Sequence, residues 1–217
     1  MNSKARFITF EGMDGGGKST VVSMLKDYFA KNVTDKEFLF TREPGSSCSK
    51  EAEFIRNFIL DNRNNFSPAV DALLFIVSRR INLEKGIWPA LDANKIVVSD
   101  RYIHSSLIYQ GLLGGLGLEN IRSLNIDALK LGNSKQILPD IVIYFDMDPQ
   151  QSLDRITQNR SSLDRLENNN ISYYENLRNS YKKLIEYEPE LFVVVDASQP
   201  LEKVFEDVLE IFKQRVL

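Results

Sequence analysis

Of the 217 residues only one, Cys48, is a cysteine, so no internal disulfide can form and the composition fits a reducing compartment. Cys48 reads either as a reactive thiol or as an ordinary polar-loop residue, and nothing around it resembles a cysteine-protease signature. No apolar run reaches the roughly 20 residues that a membrane-spanning helix needs. Met1-Asn2-Ser3-Lys4 leads straight into an apolar strand at Arg6–Phe10, without the apolar stretch of a secretory signal. The expectation is a cytoplasmic protein away from membranes. Basic clusters are scarce too: 27 Lys and Arg stand against 30 Asp and Glu, a net charge of −3. A polynucleotide partner calls for a basic stripe or patch, so small anions are the expected ligands. Histidine occurs once, at His104, expected at the surface or in a loop. There is no Pro/Gly/Ser-rich linker and no internal repeat, and Asn168–Asn170 is expected to be a solvated turn. With 43% hydrophobic and 26% charged residues, residues 1–217 are expected to form a single domain.

What is present is an alternation of strands and helices. Five short runs rich in β-branched and aromatic residues recur at Phe7–Phe10, Phe38–Thr41, Ile96–Ser99, Ile141–Phe145 and Phe192–Val195. Several are apolar on both faces, as parallel strands covered on each side are. Between them Val21, Val22, Leu25, Tyr28 and Phe29 keep helical spacing. Ser67-Pro68 supplies an N-cap and a first-turn proline for a long helix running towards Leu91. Ser198–Pro200 opens a C-terminal helix carrying Val204, Val208 and Phe212 on one face. The pattern predicts an α/β fold with a five-stranded parallel sheet and helices on both faces. Functional groups should then gather beyond the carboxyl ends of the strands.

The strongest local signal is Gly12-Met13-Asp14-Gly15-Gly16-Gly17-Lys18-Ser19, followed by Thr20. It fits G-x-x-x-x-G-K-[ST] between a strand and a helix, which makes the domain a three-layer P-loop NTPase fold. The glycines let consecutive N–H groups converge on an anion, and the helix adds its positive end. Lys18 can reach the β- and γ-phosphates of ATP, and the Ser19 hydroxyl can ligate Mg²⁺. The cradle establishes nucleotide binding and leaves the reaction open.

Further segments resemble one family. Asp14 lies inside the loop, Thr41-Arg42-Glu43-Pro44-Gly45 closes the second strand, and Asp100-Arg101-Tyr102 closes the third. Ser105, Ser106, Tyr109 and Gln110 follow. Phe75 and Arg79 lie four apart on the long helix, and Leu163-Asp164-Arg165-Leu166-Glu167 sits in a polar stretch after Arg155 and Arg160. Together they resemble the thymidylate kinases, in particular the bacterial branch, from Phe7 to the last helix. The resemblance implies transfer of the γ-phosphate of ATP to dTMP, giving dTDP. It implies that Phe75 stacks on the pyrimidine while Arg79 bonds a base carbonyl, with Ser106 and Gln110 nearby. Read without the family, Phe75 fits the core equally well, and Arg80 reads as a solvated residue. Arg101 and Arg42 would grip the acceptor phosphate, Asp14 the sugar 3′-hydroxyl, and Tyr109 would press on the 2′ position. Asp100 would orient Mg²⁺ directly or through water; the alternative is that Asp100 and Arg101 merely pair with each other.

The family has two subtypes, distinguished by whether the transition-state arginine comes from the P-loop or from a lid. Here Gly15 follows Asp14, so the loop carries no arginine. A lid over residues 155–170 is then expected to supply Arg160 or Arg165, with Arg155 a third candidate; the alternative is a solvated helix end. Asp148-Pro149 reads as a structural N-cap, and Val194–Ala197 resembles the segment that passes the adenine. A phosphate-monoester acceptor, with a second pKa of about 6, is largely dianionic at neutral pH and needs no general base. A deoxynucleoside kinase would need one, for which Glu11 and Glu43 are imaginable. Other nucleoside monophosphate kinases and a non-enzymatic P-loop switch are further alternatives. By resemblance alone the chain is expected to form a homodimer through helices including the one from Ser67.

Overall fold

The computed structural model describes residues 6–159 and 170–217. Five parallel strands, β1 (Phe7–Gly12), β2 (Phe38–Arg42), β3 (Ile96–Asp100), β4 (Ile141–Asp146) and β5 (Phe192–Asp196), form one sheet in the order β2-β3-β1-β4-β5. β1 is buried along its whole length because it lies at the centre, pairing Phe7–Phe10 with Val97–Asp100 on one side and Ile8–Gly12 with Ile141–Phe145 on the other. The strand runs read from the sequence agree with these elements to within a residue or two.

Helices cover both faces. On one, α1 (Lys18–Asn32) packs with α9 (Leu201–Arg215) over β1, β3 and β5. Leu25, Phe29, Val208 and Phe212 there meet Ile8 and Phe10 of β1. Phe7, pointing the opposite way, joins Leu83, Trp88, Val97 and Tyr102. The remaining helices are α2 (Lys50–Leu60), α3 (Pro68–Asn82), α4 (Trp88–Asp92), α5 (Ile103–Ser106), α6 (Leu118–Lys130), α7 (Pro149–Asn159) and α8 (Ile171–Tyr187), of which α2, α3, α5 and α7 reach the site. Ser67 caps α3 by accepting from the Val70 N–H, with Pro68 in the first turn. The π-helical turn Leu83–Ile87 then carries the chain into α4, so the long helix towards Leu91 is interrupted by a change of register. A second π-helical segment, Leu107–Leu113, follows α5. Asp148 caps α7, its Oδ1 accepting from the Gln150 and Gln151 N–H groups, and Asn170 caps α8.

Two expectations need correction. His104 is buried, 1% exposed, with Nε2 3.6 Å from the Glu188 carboxylate and its ring edge-on to Phe192. The end of α8 covers α5 at this point, a long-range contact that local sequence does not announce. Arg80 is not simply solvated. Its Nη1 donates to the carbonyls of Ala128, Leu129 and Leu131, and its guanidinium lies over Trp88. The last carbonyls of a helix have no intrahelical donors, and at the end of α6 Arg80 supplies them. Cys48 is exposed, as a polar-loop residue would be. Among the described residues no helix is long and apolar enough to cross a membrane.

Candidate active site

A cavity of about 390 Å³ opens beyond the carboxyl ends of β1, β2 and β3. On one side it is bounded by the P-loop. Gly12, Gly15 and Gly17 all hold positive φ. At Gly15 a Cβ would stand 2.8 Å from the Ser152 carbonyl, so the loop can lie against α7 only without a side chain there. Gly17 caps α1 without a side-chain bond, and no acidic residue occupies the first turn. The positive end of α1 is therefore left for an outside anion. Met13 contributes backbone only, its side chain being buried in the core.

Lys18 curls back onto this loop, its Nζ donating to the Gly12 and Met13 carbonyls at 3.0 and 2.7 Å. Burial, reinforced by the positive charge of Arg101 and opposed by Asp14, Asp100 and Glu11, lowers its pKa to about 8. Ser19 Oγ donates to Asp100 Oδ2 at 2.6 Å, bringing two hard oxygens together at the start of α1. Among the described residues no group of three or more His, Cys, Asp or Glu could hold a metal. Two protein oxygens are the number that a cation keeping its other ligands as water and phosphate needs.

Opposite the P-loop, Arg101 holds φ +68°, a left-handed conformation that is rare outside glycine. Its N–H is fixed on the Phe10 carbonyl and its own carbonyl accepts from Ser99 Oγ. The guanidinium donates to Asp14 Oδ1 at 2.8 Å and Ser105 Oγ at 3.1 Å, with the Tyr109 ring 5.5 Å away. Burial works against its charge, but Asp14, Tyr109, Tyr181 and Glu11 more than offset that, and its pKa lies well above the ordinary arginine value. Arg101 thus turns to Asp14 and Asp100 to Ser19, rather than to each other. Arg42 also lines the cavity, paired with Glu53 at 2.8 Å.

Phe75 satisfies both readings made of it: it is 9% exposed, and it stands on the cavity wall. Ser106, Tyr109 and Gln110 share that wall. Among the described residues the buried Tyr109 hydroxyl and Gln110 Oε1 have no hydrogen-bond partner, an arrangement that points to a ligand supplying one. Arg79 lies behind the wall, 1% exposed. It donates to Glu43 Oε2 (2.7 Å), Asn125 Oδ1 (2.6 Å), the Tyr102 carbonyl and Ser106 Oγ (both 3.1 Å). Burial pushes the Glu43 carboxyl up to about 7 against the pull of Arg79. Neither imagined base is poised for proton abstraction. Glu43 spends its oxygens on Arg79 and Asn82, and Glu11 is fully buried with four donors around it.

The cavity also has walls that sequence reasoning missed, Arg56 and Leu60 of α2 and Ile156 of α7, and Ser105, named with the motif after β3 but given no role, lines it as well. Arg155 lies there too, its Nη1 within 3.4 Å of the Gly15 carbonyl and 3.3 Å of the Ala197 carbonyl. Arg160 and Arg165 lie outside the described residues. On the described wall five basic side chains, Lys18, Arg42, Arg56, Arg101 and Arg155, face the acids Asp14, Glu43 and Asp100. On a chain of net charge −3, positive charge has been gathered where anions would enter.

Comparison with known proteins agrees with this reading. The family model described as thymidylate kinase matches residues 10–208. A thymidylate kinase of Finegoldia magna is 43% identical over 213 residues, covering 96% of this chain and 98% of that protein. One of Mycoplasmopsis agalactiae is 38% identical over 204 residues, covering 94% and 93%. A crystal structure of thymidylate kinase from Ehrlichia chaffeensis superposes with a TM-score of 0.75 at 26% identity, over 97% of this chain and all of the other. With its family model spanning the sheet, the P-loop and the acceptor-side wall alike, this chain belongs to the thymidylate kinase family.

Proposed function

We propose that this chain transfers the γ-phosphoryl group of ATP to dTMP, forming dTDP and ADP. The observation that carries the reading is a single cavity in which a P-loop faces Arg101, Phe75 and the unpartnered polar atoms of Tyr109 and Gln110. In this reading the P-loop N–H groups cradle the donor phosphates. Lys18 leaves the Gly12 and Met13 carbonyls for the β- and γ-phosphates. Arg101 and Arg42 hold the acceptor phosphate, Asp14 the 3′-hydroxyl, and Tyr109 closes against the 2′ position. Phe75 stacks on the base, whose polar edge meets Ser106 and Gln110. Arg79 reaches the base only by leaving part of its present set of acceptors.

The acceptor oxygen attacks in line, and no proton has to be removed, so positioning and charge neutralisation do the catalytic work. A bound Mg²⁺ would supply further charge neutralisation for the donor phosphates. Ser19 and Asp100 are the residues that would hold it, directly or through water. Arg160 or Arg165, from a lid over residues 155–170, completes the charge neutralisation; an arginine in that role is worth ~10³–10⁵ in rate. The proposed setting is a single-domain cytoplasmic enzyme. It is a homodimer formed through α2 and α3, where Phe54, Phe58, Leu73 and Val77 are exposed. Leu73→Glu is expected to yield monomers in light scattering; an unchanged mass would refute that interface.

ADP release from Mg·ATP, with dTMP, dUMP, dGMP, dCMP, AMP and thymidine as separate acceptors, tests the reaction. Strong stimulation by dTMP alone supports it. Stimulation by thymidine would make the chain a nucleoside kinase, and no stimulation at all would leave a nucleotide switch.

A further inference from the structure

Glu11 is the last residue of β1 before the P-loop glycine. It is a carboxylate with no exposed surface, and it is not on the cavity wall. Its Oε1 accepts from the backbone N–H of Tyr102 (2.9 Å) and of Ser105 (3.1 Å). Its Oε2 accepts from the hydroxyls of Ser105 (2.6 Å) and Tyr181 (2.9 Å). One side chain thus grips the turn that follows β3 at the Tyr102 N–H, α5 at the N–H and hydroxyl of Ser105, and α8 at Tyr181.

The polarity of this arrangement matters more than the number of bonds. A carboxylate offers acceptor sites only, so the Ser105 hydroxyl must spend its hydrogen on Glu11. That leaves the oxygen lone pairs of Ser105 facing outward, where Arg101 Nη1 donates to one at 3.1 Å. Arg101 needs such an anchor. Its backbone is held at φ +68°, and its guanidinium, paired with Asp14 through Nη2, has its other terminal nitrogen fixed by Ser105. The chain Glu11–Ser105–Arg101 runs in one direction from a buried anion to the wall.

We infer that Glu11 is a positioning residue for the acceptor phosphate, acting through Ser105 to fix the Arg101 guanidinium. The inference rests on the proposed role of Arg101 in phosphoryl transfer to dTMP. Glutamine at position 11 would keep the shape and the acceptor for the two backbone N–H groups. It would also present an amide donor to Ser105, whose hydrogen would then have to point towards Arg101.

The test compares wild type, Glu11→Gln, Ser105→Ala and the double variant, by steady-state kinetics, calorimetric titration with dTMP alone, and thermal unfolding. Each single variant is expected to raise KM and Kd for dTMP about tenfold, the worth of one charge-assisted hydrogen bond, while KM for ATP stays within about twofold. The double variant should be no worse than the poorer single one, because both changes break the same chain. Unchanged dTMP binding in a folded variant overturns the inference. So does a loss in kcat with both KM values intact, which would mean only a smaller active fraction, and so do independent, multiplying effects in the double variant. Should Glu11→Gln fail to fold, Ser105→Ala decides by the same dTMP measurement. A wild type that dTMP does not stimulate refutes the reaction and this inference with it; a stimulated wild type whose variants keep its dTMP affinity refutes the inference alone.

Discussion

Replacing Arg79 with methionine should leave Glu43 buried beside no cation, and the consequence should depend on pH in a calculable way. In the folded chain the Glu43 carboxyl sits at about 7, against an ordinary value of 4.5. Between those values the folded state binds the proton more tightly than the unfolded one. The stability contributed by Glu43 is thus fully present below pH 4.5, falls as pH rises to 7, and is level above it. Arg79 is the strongest opponent of that upward shift. Without it the carboxyl should rise further, into the range of about 8–9 known for buried glutamates. The loss then continues past pH 7 at about 1.4 kcal/mol per pH unit. Between pH 7 and 8.5 the variant should lose about 1–1.5 kcal/mol more than wild type does, or roughly 2–6 °C in Tm for a chain of this size. This comes on top of a pH-independent loss from the stranded acceptors Asn125, Tyr102 and Ser106, the whole being on the order of 3–5 kcal/mol. Urea and thermal unfolding at pH 6, 7 and 8.5 measure it. Adding Glu43→Gln removes the titrating group and should abolish the extra slope. Parallel stability profiles for wild type and Arg79→Met across this range would refute the reasoning.

Lys18 should make ATP binding pH-dependent: its proton leaves at about 8 in the free protein, and the phosphates need the cation. Apparent KM for ATP should hold below pH 8 and rise above it, approaching about tenfold per pH unit, while Lys18→Ala should abolish transfer at every pH. Arg101→Ala should raise KM for dTMP roughly ten- to hundredfold, the worth of a charged bidentate contact, with little change for ATP; unaltered dTMP kinetics would undo the acceptor-site assignment. Gly15→Ala, at φ +77° and with a Cβ 2.8 Å from the Ser152 carbonyl, should cost about 1–3 kcal/mol and weaken nucleotide binding, read by unfolding and ATP titration together.

The five strands were legible as short runs rich in β-branched and aromatic residues; the inner three, β3, β1 and β4, are buried almost throughout, while the edge strands β2 and β5 are only partly so. The caps at Ser67-Pro68 and Asp148-Pro149 were legible because they act within three residues. α2 was not, since it buries only Ala52 and Ile59 while Phe54 and Phe58 face outward. Its apolar spacing therefore does not trace a core-facing stripe, and Arg56 and Leu60 went unnoticed with it. The π-helical segment at Leu107–Leu113 adds a residue per turn, which an i, i+4 reading cannot anticipate, although it carries Tyr109 and Gln110. Arg79 was nominated through the family resemblance, with Phe75 four residues before it on the same helix. Its four acceptors come from the β2–α2 loop, the turn after β3, α5 and α6, and nothing local reveals them. His104 and Arg80 were misjudged for the same reason: their partners lie at Glu188 and at the end of α6.

The order of the sheet also has a consequence for how such a protein can change. The loops read as facing the acceptor follow β2 and β3, at one edge. Those flanking the P-loop on the other side, around Asp146 and Asp196, follow β4 and β5. Variation at either edge can therefore alter one substrate's surroundings while leaving the other's alone. β1 has no such freedom: its backbone enters the phosphate loop while its buried Glu11 braces the opposite bank. Drift should be cheap at the two margins and rare along the strand between them.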